Sequence, residues 1–80
     1  MDNELKLGKY RHFKGKSYEV IGVAKSADNL KDYVVYKALY EDEFPYGQIW
    51  IRQKAEFLSE VPAGRENPFN QKYRFEYIDK

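Results

Sequence analysis

The chain has 80 residues and no Cys, with 14 Lys and Arg against 13 Asp and Glu for a net charge of +1. A domain of this length buries only about 60% of the surface its unfolded chain exposes, and the missing Cys excludes both a disulfide and a thiolate metal site as reinforcement. The charge balance argues against a nucleic-acid coat protein, which is strongly basic, and against a disordered chain, which is poor in apolar residues.

Aromatic residues make up 18% of the chain, with eight Tyr among them, and are expected to carry much of the core. Met1 to Leu7 alternates charged and apolar residues, lacks the apolar stretch of a signal peptide and is expected as a loosely ordered arm. No run approaches the roughly 20 apolar residues of a membrane helix, so a cytoplasmic protein with no membrane partner is expected. Lys9 to Phe13 predicts a short strand and Lys14-Gly15-Lys16 a tight turn. Ser17 to Lys25 predicts a long strand with Tyr18, Val20, Gly22 and Ala24 on one face and Glu19, Ile21, Val23 and Lys25 on the other. Gly weakens a strand interior, so Ile21-Gly22-Val23 reads as a bend or bulge. Gly15 between two alternating runs makes these segments a hairpin.

Asp28-Asn29 marks a turn within Ser26 to Asp32, since such side chains satisfy nearby amides. Tyr33 to Tyr40 is the strongest strand, and its apolar residues on both faces predict a central strand covered on two sides. Pro45 and Gly47 mark the next turn. Gln48 to Arg52 predicts a strand with Ile49 and Ile51 on one face and Gln48, Trp50 and Arg52 on the other. Lys54 to Ser59 predicts a helical turn tucking Phe57 and Leu58 against the sheet, Val61 to Asn70 a loop, and Tyr73 to Ile78 a last strand. The expected fold is a single all-β domain over residues 1–80, a small barrel or roll of about five strands with one short helical turn, because closure removes exposed edges.

Motifs for chemistry are weak. Gly15-Lys16-Ser17 resembles the tail of a phosphate-binding loop, but Tyr10 stands where that motif requires Gly, and Ser17 opens a strand rather than a helix. Glu41-Asp42-Glu43 lacks the EF-hand pattern and reads as a solvated loop. His12 is the only imidazole, which excludes a His-rich metal site; no metal or cofactor is expected. His is the side chain whose ordinary pKa lies near neutrality, yet a general base needs a carboxylate to orient it and a nucleophile nearby. Ser17, Ser26 and Ser59 are the only Ser and none lies in a G-x-S-x-G elbow, so no catalytic residue is expected.

Lys6, Lys9, Arg11, Lys14 and Lys16 crowd the first hairpin with no acidic residue between Leu5 and Tyr18. Arg52, Lys54 and Arg74 join them if the last strands pack beside the first, while Tyr10, His12, Tyr40 and Trp50 offer flat rings. Small barrels bind single strands through such basic grooves and aromatic platforms, although the neutral total charge favours cations on a solvent face and rings in the core.

Tyr10-Arg11-His12-Phe13-Lys14-Gly15, followed in order by Tyr18-Glu19-Val20, Gly22-Val23-Ala24, Val34-Val35-Tyr36, Leu39-Tyr40, Trp50-Ile51-Arg52 and Arg74-Phe75, resembles a family of small bacterial proteins, the domain of unknown function 1653. The resemblance runs from about Leu7 to Ile78. It departs at Gln53, where the family often has Pro, and over Pro62 to Gln71, which is longer than usual. The resemblance implies an SH3-like barrel or roll and brings no activity or catalytic residue. Its polar blocks fall on Arg11, His12, Arg52 and Arg74, which either tie loops to the sheet or line a pocket suited to carboxylate or phosphate. The expected function is a non-enzymatic binding module for an anionic ligand (a peptide carboxylate, a phosphorylated metabolite or, less favoured, a short nucleic acid), with a site at Tyr10, Arg11, His12, Tyr40, Trp50, Arg52 and Arg74. The alternatives are a small enzyme with His12 as general base and an interaction domain pairing through a barrel edge, as monomer or weak homodimer.

Overall fold

Alternating apolar residues produce five strands: β1 (Gly8–His12), β2 (Ser17–Lys25), β3 (Asp32–Ala38), β4 (Ile49–Gln53) and β5 (Phe75–Asp79), with the single turn of α1 (Lys54–Phe57) between the last two. The structure, a computed structural model, describes residues 5–79. Residues 1–4 of the expected arm lie outside that range; within it Leu5 packs against the core, and the Lys6 carbonyl accepts the Tyr10 hydroxyl at 2.7 Å. Among the described residues no helix is long and apolar enough to cross a membrane.

All ladders are antiparallel, in the order β4-β3-β2-β1-β5. Among the described residues no ladder joins β4 to β5, so of the barrel and the roll the molecule takes the open form. The first hairpin closes through His12 N–H to the Lys16 carbonyl (2.8 Å) and Gly15 N–H to the His12 carbonyl (2.7 Å). Gly15 sits at φ 113°, a conformation that favours glycine, and a Cβ there would crowd the Phe69 ring at 3.1 Å.

The bulge falls where expected. Val20 opposes Tyr36 and Gly22 opposes Val35, leaving Ile21 as the extra residue. One extra residue moves the following side chains to the other face. Val23 therefore opposes Val34 and shares the face of Val20, against the strict alternation expected for β2.

Val34, Tyr36 and Ala38 of β3 point into the core with Tyr10, Phe13, Val20, Phe57 and Phe75. The Phe57 and Phe75 rings stack at 4.0 Å and 8°, and Tyr10 meets Phe57 edge-on at 5.5 Å. Such pairs contribute about 0.5–1.5 kcal/mol each beyond burial.

Three expectations need correction. β3 is covered on one side only: Tyr33 and Val35 lie on an outer face that no second layer covers, since α1 delivers Phe57 to the inner face. Leu58 is not tucked in but exposed, because one turn of helix brings only Phe57 inward. Tyr73 precedes the last strand, where it makes an isolated bridge to Glu60 and stays exposed. That bridge, with Val61 N–H to the Lys72 carbonyl and Arg74 N–H to the Ser59 carbonyl (both 2.9 Å), pinches the long loop at its base.

Candidate functional site

Strand geometry separates residues that are adjacent in sequence. The period of two in β1 sends Gly8, Tyr10 and His12 inward and Lys9 and Arg11 outward. Tyr10 is 6% exposed, its phenol is pushed above the ordinary value by burial, and its O–H is committed to Lys6. Arg11, on the other face, donates from Nε to Gln71 Oε1 at 2.7 Å, pairs with Glu76 at 3.1 Å and lies 4.2 Å over the Phe69 ring. Gln71, buried, answers by donating to the Arg11 and Tyr73 carbonyls at 3.2 and 3.1 Å. These contacts latch the long loop to β1 and take Tyr10 and Arg11 out of any shared site.

His12, Arg52 and Arg74 come together on the inner side, where β1, β4 and the start of β5 converge. The His12 ring stacks on Phe13 at 4.5 Å and meets Phe75 edge-on at 5.0 Å. Its Nδ1 accepts the Lys14 backbone N–H at 3.1 Å, which assigns the proton of the neutral ring to Nε2 and makes that atom a donor. Arg52 lies 5.8 Å over Phe75, donates from Nε to the Tyr36 hydroxyl at 3.2 Å and pairs with Glu56 at 3.3 Å. Arg74 donates to Ser59 Oγ at 3.3 Å and stands 5.9 Å from the Phe13 ring centroid; Arg65, from the loop, stands 5.4 Å from it.

Burial, then the charges of Arg52, Arg74, Lys14 and Arg65, lower the His12 pKa from 6.5 to about 4. The imidazole is therefore neutral at pH 7 and sits among cations. Among the described residues, Glu56 is the only carboxylate in an ion pair with Arg52, Arg65 or Arg74, and no carboxylate hydrogen-bonds His12. No group of three or more His, Asp and Glu suited to a metal ion occurs among the described residues.

Aromatic side chains border the cluster. Tyr18 is 6.4 Å from His12 and 5.2 Å from Tyr36, and its hydroxyl shares a 2.5 Å hydrogen bond with that of Tyr40. Burial and this bond push the Tyr18 phenol up. The Tyr40 ring lies 4.4 Å beneath the Lys16 ammonium. Trp50 faces inward beside Tyr36 in the β3–β4 register and meets Phe44 edge-on at 5.2 Å. Of the expected residues, His12, Arg52 and Arg74 thus form the centre, and Tyr40 and Trp50 border it through Tyr18 and Tyr36. The basic hairpin divides: Lys9 and Arg11 go to the outer face, while Lys14 stays with His12. Sequence reasoning missed Arg65 and Tyr18 as site residues. Tyr18 was accessible through its alternation with Val20, whereas Arg65 sits in an irregular loop with no periodic signal.

The fold and this cluster define a small open β-roll with a cationic, aromatic-bordered site. Residues 8–77 match the family model described as a protein of unknown function (DUF1653), and the chain belongs to that family. It is similar to the crystal structure of a DUF1653 protein from Bordetella bronchiseptica, with a TM-score of 0.75 and 27% identity over 95% of this chain and 90% of that one. Comparison with curated proteins gives no match.

Proposed function

We propose that the protein is a non-enzymatic binding module for a small anionic ligand, with a phosphorylated metabolite as the class its chemistry favours. The observation that carries this reading is His12: a neutral ring with an Nε2–H donor, among Arg52, Arg65, Arg74 and Lys14, with Glu56 as the one carboxylate paired to these cations among the described residues. A phosphate monoester presents nearly two negative charges and three acceptor oxygens, which matches several guanidinium forks. A carboxylate leaves much of this positive charge unmatched. A nucleic-acid strand needs a basic track along its backbone, and here the hairpin cations divide between two faces. The general-base reading of His12 has no carboxylate to support it among the described hydrogen bonds. A cytoplasmic location belongs to the same proposal, because phosphate esters are made and kept inside cells.

Calorimetric titration with phenyl phosphate and with benzoate, at low and high salt, tests this reading. Phenyl phosphate is expected to bind more tightly, weakening as salt rises, and Arg74→Gln is expected to weaken it about tenfold or more, as for a charge-assisted hydrogen bond of about 1.5–3 kcal/mol. Absence of phosphate binding at low salt removes the proposal.

A further inference from the structure

The cationic cluster uses the inner side of β4 through Arg52 and leaves the outer side of that strand and its free edge unexplained. β4 is the terminal strand, and among the described residues it pairs with β3 alone. Edge strands are ordinarily blunted by Lys, by Pro, by bulges or by inward-pointing charges left free to repel a partner. β4 reads Ile-Trp-Ile-Arg-Gln, with no Lys, Pro or bulge; its one charge, Arg52, faces inward but is held by the Tyr36 hydroxyl and Glu56, while Ile49 and Ile51 face outward and remain 47% and 63% exposed.

Two grooves flank the strand. One, of about 300 Å³, runs between Ile51 and Tyr33 on the outer face. The other, of about 590 Å³, is lined by Gln53 at the end of β4, by Leu30, Ala55 and Leu58, and by Lys31, Asp32 and Lys54. Leu30 breaks two local rules there. It holds φ 61°, a left-handed conformation costly for a Leu side chain, and it is 68% exposed. The turn keeps it so: Leu30 N–H donates to the Ser26 carbonyl at 2.8 Å, and the Asn29 side chain accepts Lys31 N–H at 2.8 Å. The charges of this groove that have no ion-pair partner among the described residues are positive. Asp32 is taken by Lys25 at 2.8 Å, and among the described residues neither Lys31 nor Lys54 has an ion-pair partner.

The geometry points to β4 as the docking edge for an extended segment of another protein, added as a sixth strand, with apolar side chains over Ile49 and Ile51 and acidic ones reaching Lys31 and Lys54. Strand addition takes affinity from main-chain hydrogen bonds and specificity from alternate side chains. Antiparallel pairing puts the acidic residues at the N-terminal end of that segment, beside Gln53. A second copy of this chain fits less well, because β4 contains no acidic residue to meet the two lysines.

The probe is a capped peptide in which two Glu precede alternating Val and Thr, titrated into the full chain labelled with ¹⁵N. The amides of Ile49 to Gln53 are expected to shift and to exchange more slowly, with a Kd on the order of 0.1–1 mM. Ile51→Lys, at an exposed position that leaves the fold intact by circular dichroism, weakens binding about tenfold or more, and so does replacing both Glu by Lys; Arg74→Gln leaves it unchanged. Four results overturn the assignment: no shift in β4, binding indifferent to Ile51→Lys, equal binding of the Lys peptide, or β4 protection that grows with protein concentration alone.

Discussion

His12 makes stability depend on pH in a direction the structure dictates. In the unfolded chain its imidazole takes up a proton near pH 6.5, but in the fold burial and the surrounding guanidinium groups delay that step to about pH 4. Between these values the unfolded state binds more protons, so stability falls as pH drops from about 6.5 and the loss is complete below about 4. The separation corresponds to about 3 kcal/mol at about 1.4 kcal/mol per pH unit. His12 is only half-buried, and solvent screening reduces the observable loss to about 1–2 kcal/mol. Urea unfolding of the wild type and His12→Gln at about pH 7, 6, 5 and 4 reads the effect as a difference that shrinks on acidification. An NMR titration of the His12 ring gives the folded pKa directly, and phenyl phosphate is expected to raise it by offsetting the nearby cations. A His12 that titrates near 6.5, or parallel pH profiles for the two proteins, refutes the reasoning.

Phe57→Ala removes a ring that is 1% exposed and stacked on Phe75 at 4.0 Å. The cost is expected at about 3–5 kcal/mol, which lowers Tm by well over 10 °C at roughly 4–8 °C per kcal/mol; thermal denaturation by circular dichroism measures it. Gln71→Leu keeps the volume but leaves Arg11 Nε and two carbonyls without their partner. A loss of about 2–3 kcal/mol is expected, read as a lower denaturant midpoint with faster proteolysis in the 62–71 loop, and a change below about 0.5 kcal/mol contradicts the latch. Gly15→Ala is expected to cost about 1–3 kcal/mol from its left-handed backbone, with a further penalty from the Phe69 ring at 3.1 Å; the urea midpoint of the double variant with Phe69→Ala separates the two contributions.

Local chemistry settles much of this molecule. The strand at Ser17 to Lys25, the glycine turn at Gly15 and the bulge around Gly22 are short-range matters of backbone sterics and side-chain period, and they are readable locally, although the bulge reverses the expected faces of the residues after it. The ordered sequence blocks led to the right family for the same reason, since each marks a strand face or a turn. Other features depend on what packs across the sheet. The apolar residues of β3 and β4 do not announce whether a second layer will cover them; only the brevity of α1 leaves Val35, Ile49 and Ile51 on an open face. Arg11 and His12 are neighbours in the chain, yet the pleat sends one to the Gln71 latch and the other to the cationic cluster. Arg65 and Arg74 reach His12 only because the pinched loop and the curled sheet return them to the first hairpin. Periodicity determines which side of its own strand a residue takes, but which charges then meet is decided by contacts across 40 to 62 residues of chain (Arg52 and Arg74 against His12), which no local pattern encodes.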